Sequence, residues 1–312
     1  MLLLVASRAF GQACTNPNDG SGNLCTPTTS TNGKWMLINH ASDNNGGADL
    51  GCYLYKQVAF ATGALTITMT RPATSPTCGQ STTTQGTQPY LSGSLVSVAS
   101  FSPNTTCPSG TCTIQASIEA GKGWPAFWLL GGNGLTSSSS GCQYQSVYNT
   151  WDNVGNCNWS QDTMPNGDSG EQDIMEYIEP NYTATNQNLI NNGVDQHGTS
   201  QTLSNATTNF HLYTMHWSNS AISYAVDGTT SPNSWSTHIP VNPQFIILEN
   251  RVSSGSVPSS FPQVMTVQYV QVCDGKTCTS PGAAGGNSVF FDNFTEDPAT
   301  PSAPSALRGT VH

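Results

Sequence analysis

The chain has 312 residues, of which 8% are charged, against about 25% in an average soluble domain. Its formal net charge is −10, with 8 Lys and Arg against 18 Asp and Glu. Such a surface lacks the basic footprint that phosphate binding requires, so we expect no nucleic-acid partner and no anionic polysaccharide ligand.

The N-terminal residues 1–13 predict the remnant of a secretory signal peptide, because they combine a short apolar run with a small-residue cleavage site. Ten cysteines indicate an oxidising compartment, and we therefore expect a secreted protein. No later apolar run approaches the roughly 20 residues that span a bilayer, so we expect no membrane association.

Most cysteines lie close together in sequence, which favours local disulfides. The expected pairs are Cys14 with Cys25, Cys107 with Cys112, Cys142 with Cys157, and Cys273 with Cys278, which leaves Cys52 and Cys78 as a fifth pair. A zinc site is disfavoured, because no Cys-x-x-Cys pair occurs and no His stands at ligand spacing from a Cys.

Strand patterns dominate the rest of the chain. Residues 64–70 alternate with a period of two, which places Leu65, Ile67 and Met69 on one face. Residues 264–272 form a long β-rich run in which we expect Met265, Val267 and Tyr269 to share a side. Further short strands are predicted at residues 113–119, 127–130, 173–178, 211–217, 221–226 and 245–248. Without a convincing long amphipathic helix, the pattern predicts an all-β sandwich of antiparallel sheets.

Two segments interrupt the strand pattern. Residues 131–170 are long and rich in Gly, Ser and Asn, and we expect them to form one wall of a cleft. Residues 298–312 begin as a Pro/Ala/Ser linker and end like the first strand of a truncated downstream module. The predicted main domain therefore covers residues 14–297.

Three of the six glutamates fall within residues 171–179 of this charge-poor chain. On a strand Glu171 and Asp173 share one face, and Glu176 joins them only if one extra residue bulges out around Ile174 and Met175. Like-charge repulsion makes such a cluster costly, and glycosidic bond cleavage is the chemistry that most often uses it. A metal site is disfavoured, because calcium ligands come from loops with varied oxygen donors.

The carboxylate run, residues 170–177 (GEQDIMEY), resembles the signature of glycoside hydrolase family 16, the laminarinase-like β-glucanases. Other segments resemble the family in the same order: GKGWPAFWLL at 121–130, FHLYTMHW at 210–217, YAVDG at 224–228, and FPQVM with YVQV between 261 and 272. Together they extend over roughly residues 35–295.

The resemblance implies a concanavalin A-like β-jelly roll of two antiparallel sheets with a substrate cleft on the concave face. It implies a retaining double displacement in which Glu171 is the nucleophile, Glu176 is the general acid/base, and Asp173 hydrogen-bonds the nucleophile. Since neighbouring carboxyls are not all comfortably ionised, we expect one of them to hold a proton.

The resemblance also implies residues that contact substrate. Trp124 and Trp128 are candidates for stacking on sugar rings, and His197 and His211 are candidates for contacting sugar hydroxyls. Tyr177 is expected on the opposite, core side of its strand. The bulged spacing and the WPAFW motif favour the laminarinase side of the family, so the expected substrate is a neutral β-1,3-glucan, with mixed 1,3/1,4 linkages left open.

The sequence departs from the family pattern at three positions. Ser94 stands where many relatives carry an arginine, and Gln172 replaces an apolar residue. Gln268 stands where relatives have an aspartate that binds a structural calcium, so calcium remains an open alternative, and no other cofactor is expected. The competing functions are a transglycosylase, a non-catalytic β-glucan-binding jelly roll, or an enzyme for another neutral polysaccharide such as agarose. We expect a monomer.

Overall fold

A computed structural model describes residues 28–29, 33–37, 51–53, 57–61, 63–73, 90–131, 170–178, 181–191, 194–198, 201–241, 243–252 and 257–295. The predicted signal remnant, the tail from residue 298, nearly all of the predicted wall at 131–170, and Cys14, Cys25, Cys78, Cys142 and Cys157 lie outside these ranges. Within them, no helix is long and apolar enough to cross a membrane.

The described strands, numbered in chain order, form two sheets. The ten-stranded sheet contains, in spatial order, β1 (Thr28–Thr29), β2 (Trp35–Leu37), β6 (Tyr90–Phe101), β16 (Gln244–Arg251), β8 (Trp124–Gly131), β9 (Glu171–Ile178), β10 (Asn181–Asn191) and β11 (Val194–His197), with β3 (Gly51–Tyr53) beside β6 and β12 (Gln201–Thr202) beside β10. The eight-stranded sheet contains β15 (Thr229–Trp235), β14 (Ile222–Val226), β13 (His211–Ser218), β7 (Thr111–Glu119), β17 (Gln263–Asp274), β5 (Ala64–Met69) and β4 (Val58–Ala61), with β18 (Ser288–Asp292) beside β17. The pairing is antiparallel except between β3 and β6, which run parallel.

A large hydrophobic core lies between the two sheets. Phe127, Leu129 and Ile174 enter it from the ten-stranded sheet, and Met215 and Val270 enter it from the eight-stranded sheet. This arrangement confirms the predicted all-β sandwich, since each sheet buries one face by packing it on the other.

The alternation predicted for residues 64–70 is confirmed, because Leu65, Ile67 and Met69 are all fully buried on β5. The prediction for Tyr269 is wrong. The register between β17 and β7 shifts between Val267 and Tyr269, so Gln268 is an extra residue. As a result Val270 takes the buried position and Tyr269 turns to the outer face.

Two of the predicted local disulfides are present. Cys107 bonds to Cys112 and Cys273 bonds to Cys278. They lie together, because Cys273 pairs with Thr113 and Asp274 pairs with Cys112 across β17 and β7. Both disulfides therefore fasten loops at the same end of the eight-stranded sheet.

A buried hydrogen bond joins the two sheets near the N-terminal strands. The indole Nε1 of Trp35 on β2 donates to Oδ2 of Asp292 on β18 at 2.7 Å. Both side chains are almost completely buried, so this bond fixes β2 against the opposite sheet.

Candidate active site

Strand β9 carries the bulge that the carboxylate spacing predicts. Its partner β8 pairs Phe127 with Met175 and the next residue, Trp128, with Asp173, which leaves Ile174 as the extra residue. Ile174 and Met175 are consecutive and yet both fully buried in the core. The bulge therefore resets the alternation of β9 between Asp173 and Glu176.

As a consequence Glu171, Asp173 and Glu176 lie on one face of the ten-stranded sheet. Their partners on β8 are Leu130, Trp128 and Ala126, three alternate residues that share a face. Their partners on β10 are Ile190, Asn188 and Asn186. The structure thus brings together the three carboxylates that the sequence singled out, on the face turned away from the core.

Asp173 is the central and most buried carboxylate, with 6% of its surface exposed. Burial raises the pKa of Asp173 well above its ordinary value, and the charges of Glu171 and Glu176 raise it further. Nδ2 of Asn188 on β10 donates to Oδ2 of Asp173 at 3.0 Å, and this hydrogen bond lowers the pKa of Asp173. The raised pKa favours the protonated form of Asp173.

Glu176 is held by two neighbouring strands. The indole Nε1 of Trp124 on β8 donates to Oε1 of Glu176 at 2.5 Å. The backbone nitrogen of Glu176 donates to Oγ1 of Thr185 on β10 at 3.3 Å. Trp124 therefore lies beside the carboxylates and contacts Glu176 through its polar edge, while its stacking on a sugar ring stays a prediction.

The position of Trp124 depends on the tight turn that precedes β8. Gly123 has a φ of +117°, and a Cβ there would lie 2.5 Å from Cε of Met69 and 3.0 Å from the backbone oxygen of Arg251. Only glycine fits such a position. The hydroxyl of Tyr182 also accepts a hydrogen bond from the Gly123 backbone nitrogen at 2.7 Å.

Trp128 shares the face of Trp124 and lies in register with Asp173. Its indole Nε1 is buried and has no hydrogen-bond partner among the described residues. A buried donor without a partner is costly, so a group that accepts from it would be stabilised there.

The two candidate histidines have different locations. His197 on β11 pairs in register with Asn188, and its Nδ1 lies 3.3 Å from Oδ1 of that asparagine, so it adjoins the carboxylate face. His211 lies on β13 of the other sheet, where its Nδ1 contacts Oδ2 of Asp227 at 2.6 Å. The structure therefore does not group His211 with the carboxylates, and a substrate role for it gains no support.

Three residues of this face were not identified from the sequence: Asn188, Glu249 and Arg251. Glu249 and Arg251 are two apart on β16 and pair with Ala126 and Trp124 of β8, so they point to the carboxylate face. The sequence did contain a signal for Glu249 and Arg251, because two charged residues at strand spacing are unusual in so charge-poor a chain. The sequence contained no signal for Asn188, because its segment is rich in Asn and nothing distinguishes this asparagine from its neighbours.

Arg251 lies close to the position of the missing family arginine. Ser94 on β6, which stands where relatives carry that residue, pairs in register with Glu249 of the neighbouring strand. The guanidinium carbon of Arg251 lies 3.8 Å from the ring centroid of Trp124. A guanidinium is thus present on this face, supplied from a different strand.

The other two departures also have structural outcomes. Gln172 faces the core, as expected, and its Nε2 donates to Oε1 of Gln244, whose own Nε2 donates to the backbone oxygen of Gly170 at 3.0 Å. Gln268 is exposed, and its Oε1 accepts from Oγ of Ser117 at 2.8 Å. Within the described ranges no cluster of three His, Cys, Asp or Glu side chains is placed to hold a metal ion.

Comparison with known proteins agrees with this geometry. The family model described as Glycosyl hydrolases family 16 matches residues 155–262, which contain all three carboxylates. A beta-glucanase from Rhodothermus marinus is 26% identical over 189 residues, which are 52% of this chain and 56% of the relative. The chain thus spans little more than half the length of that relative.

Solved structures share the fold. LamAcat from Zobellia galactanivorans has a TM-score of 0.54 and 19% identity over 77% of this chain and 90% of its own. The endo-beta-1,3-glucanase from Pyrococcus furiosus has a TM-score of 0.54 and 22% identity over 77% of this chain and 87% of its own. The family-model match includes the carboxylate strand, and the solved structures share the jelly-roll sandwich that carries it, so the comparisons support glycoside hydrolase family 16 for this chain.

Proposed function

We propose that this protein is a secreted, monomeric, endo-acting glycoside hydrolase that cleaves β-1,3-glucan with retention of anomeric configuration. The observation that carries the proposal is the bulge in β9, which aligns Glu171, Asp173 and Glu176 on the face that also holds Trp124 and Trp128. A binding protein gains nothing from this costly alignment, whereas a retaining hydrolase needs two carboxyls with different roles.

The proposed reaction has two steps. A carboxylate oxygen of Glu171 attacks the anomeric carbon while Glu176 donates a proton to the departing glycosidic oxygen, which forms a glycosyl ester and releases the leaving chain. Glu176 then removes a proton from water, the water oxygen attacks the anomeric carbon, and the ester bond breaks to restore Glu171.

Asp173 is proposed to support the nucleophile. It lies between the two glutamates on the same face, and burial and their charges raise its pKa, which favours its protonated form. A protonated Asp173 can donate a hydrogen bond to Glu171 and reduces the negative charge of the cluster.

The neutral β-1,3-glucan substrate is supported by the low content of basic residues and by the relatives. The relative from R. marinus is named a beta-glucanase, and LamA from Z. galactanivorans was solved in complex with laminaritriose and laminaritetraose. A further structural neighbour is described as a non-specific endo-beta-1,3(4)-glucanase, so mixed linkages belong in the test.

The test is release of reducing ends from laminarin, lichenan, xyloglucan and agarose, with proton NMR of the first anomer formed. We expect rapid shortening of laminarin and a β-configured initial product. An α-configured initial product would exclude retention, and activity on agarose alone would replace the substrate. Binding of laminarin without cleavage of any polymer would make the protein a glucan-binding jelly roll.

A further inference from the structure

Arg251 lies at the end of β16, in register with Trp124 on β8. Its guanidinium carbon lies 3.8 Å from the centroid of the Trp124 ring, the distance of a close cation–π stack. Its side chain is only 12% exposed, so this cation is held largely away from solvent.

A second contact orients the arginine. Oε1 of Glu249, two residues earlier on the same face of β16, lies 3.3 Å from Nε of Arg251, and the Glu249 side chain is 5% exposed. The carboxylate and the indole ring therefore hold the guanidinium from two directions.

The stack continues to the carboxylate cluster. The same indole that lies under Arg251 donates its Nε1–H to Oε1 of Glu176 at 2.5 Å. Glu249, Arg251, Trp124 and Glu176 thus form one connected series across the adjacent strands β16, β8 and β9. The positive charge of Arg251 also acts on the cluster, since it opposes the rise in the pKa of Asp173.

We propose that Arg251 is a positioning residue for the acid/base glutamate: by stacking on Trp124, it fixes the indole in the orientation that binds Glu176. The consequence for catalysis rests on the proposed function, whereas the positioning itself does not. Because the guanidinium covers one face of Trp124, a sugar can stack only on the opposite face.

A buried ion pair that serves stability alone would make a different prediction. It would change the unfolding temperature on substitution but leave the hydrogen bond from Trp124 to Glu176 and the transfer of a proton to the leaving group unchanged. Readouts specific to Trp124 and to acid assistance therefore separate the two roles.

The first experiment follows the indole N–H resonances of the ¹⁵N-labelled protein, which has seven tryptophans. The Trp124 resonance is identified by its absence in Trp124→Phe, and its shift in Glu176→Gln gives the signature of the altered hydrogen bond. We expect Arg251→Met to shift the same resonance, and Arg251→Lys, which keeps charge but not the planar stack, to shift it in part. A folded Arg251→Met protein with an unchanged Trp124 resonance overturns the proposal.

Because Arg251→Met leaves Glu249 buried without its cation, the double variant Glu249→Gln/Arg251→Met serves as the folding-safe form. It removes both charges while keeping the side-chain volumes similar. The same shift of the Trp124 resonance is expected in it, and an unchanged resonance overturns the proposal equally.

The second experiment compares two substrates. In Arg251→Met the acid Glu176 is expected to be misoriented, which should lower kcat/KM on laminarin by about 10²-fold. On a 2,4-dinitrophenyl β-laminaribioside, whose leaving group needs no proton, the loss should stay within about threefold. Equal losses on both substrates would contradict a role through Glu176. If the wild-type protein cleaves neither substrate, the proposed function fails, and the resonance experiment still decides the positioning role.

Discussion

Asn188 donates a hydrogen bond from Nδ2 to Oδ2 of Asp173 at 3.0 Å, across the pairing of β10 with β9. Its Oδ1 accepts from the backbone nitrogen of Gly198 at 3.3 Å and lies 3.3 Å from Nδ1 of His197. Asn188 therefore connects the central carboxyl to β11, and the orientation of Asp173 depends on a neutral amide.

Asn188→Ala should lower kcat on laminarin with a smaller effect on KM, because it removes the hydrogen bond that orients Asp173. The loss of one hydrogen bond to a neutral carboxyl is worth about 0.5–1.5 kcal/mol, or roughly 2- to 10-fold. Steady-state kinetics test this, with circular dichroism to verify folding. An unchanged kcat in a folded variant would show that the orientation of Asp173 is fixed by other contacts.

Asp173→Asn should make the protein more stable at neutral pH. In the folded state the pKa of Asp173 is raised, chiefly by burial, so the folded state binds this proton more tightly than the unfolded state does. Stability therefore falls as pH rises from the ordinary pKa of an aspartate towards the raised folded value, and the asparagine removes that loss.

The measurement is the unfolding temperature from pH 4 to pH 8, where about 1 kcal/mol corresponds to 2–4 °C in a domain of this size. The wild-type value should fall relative to the variant as pH rises. Glu119→Gln, at the end of β7 in the other sheet, is the matched control. Introduced into both proteins, it should leave the difference in unfolding temperature between the wild type and Asp173→Asn unchanged at each pH. A constant offset between Asp173→Asn and the wild type would contradict the raised pKa.

Glu171→Gln and Glu176→Gln should both lose at least about 10²-fold of their activity on laminarin while remaining folded. Their responses to an activated aryl glycoside should differ. Glu176→Gln should keep a near-normal kcat/KM on it, since that leaving group needs no acid, whereas Glu171→Gln should lose activity on both substrates.

Azide supplies the complementary test of these two roles. With the small side chains of Glu171→Gly and Glu176→Gly, azide should restore turnover of the aryl glycoside in both. The product should be an α-glycosyl azide for Glu171→Gly and a β-glycosyl azide for Glu176→Gly. The reverse pattern would exchange the two assignments.

The amide pair of Gln172 and Gln244 in the core should show strong coupling. Gln172→Leu or Gln244→Leu alone leaves a buried amide without its partner, at a cost of about 1–3 kcal/mol. The double variant should be less destabilised than the sum of the two, because no amide then remains unpaired. Urea unfolding of the four proteins measures the coupling, and simple additivity would show that the amides do not depend on each other.

The sequence predicted the features that depend on local spacing. The all-β class follows from alternation such as that of Leu65, Ile67 and Met69, because the side-chain period of a strand is two wherever the strand lies. The bulge in β9 was predicted for the same reason: three carboxylates at positions 171, 173 and 176 share a face only if one residue is added. In β17 the polarity of Gln268 gave no such signal, and the bulge there turned Tyr269 away from its expected side.

Tertiary structure decided which distant residues meet the carboxylates. Asn188 and Arg251 reach the site because β10 and β16 lie beside β9 and β8, and strand order is set by packing over the whole sheet rather than by local sequence. The same ordering puts His211 on the opposite sheet and gives Trp124 a cation on one face and Glu176 at its edge. The sequence thus determined the carboxylates and their shared face, because strand periodicity is local, and only the fold determined their partners, because those contacts join strands far apart in the chain.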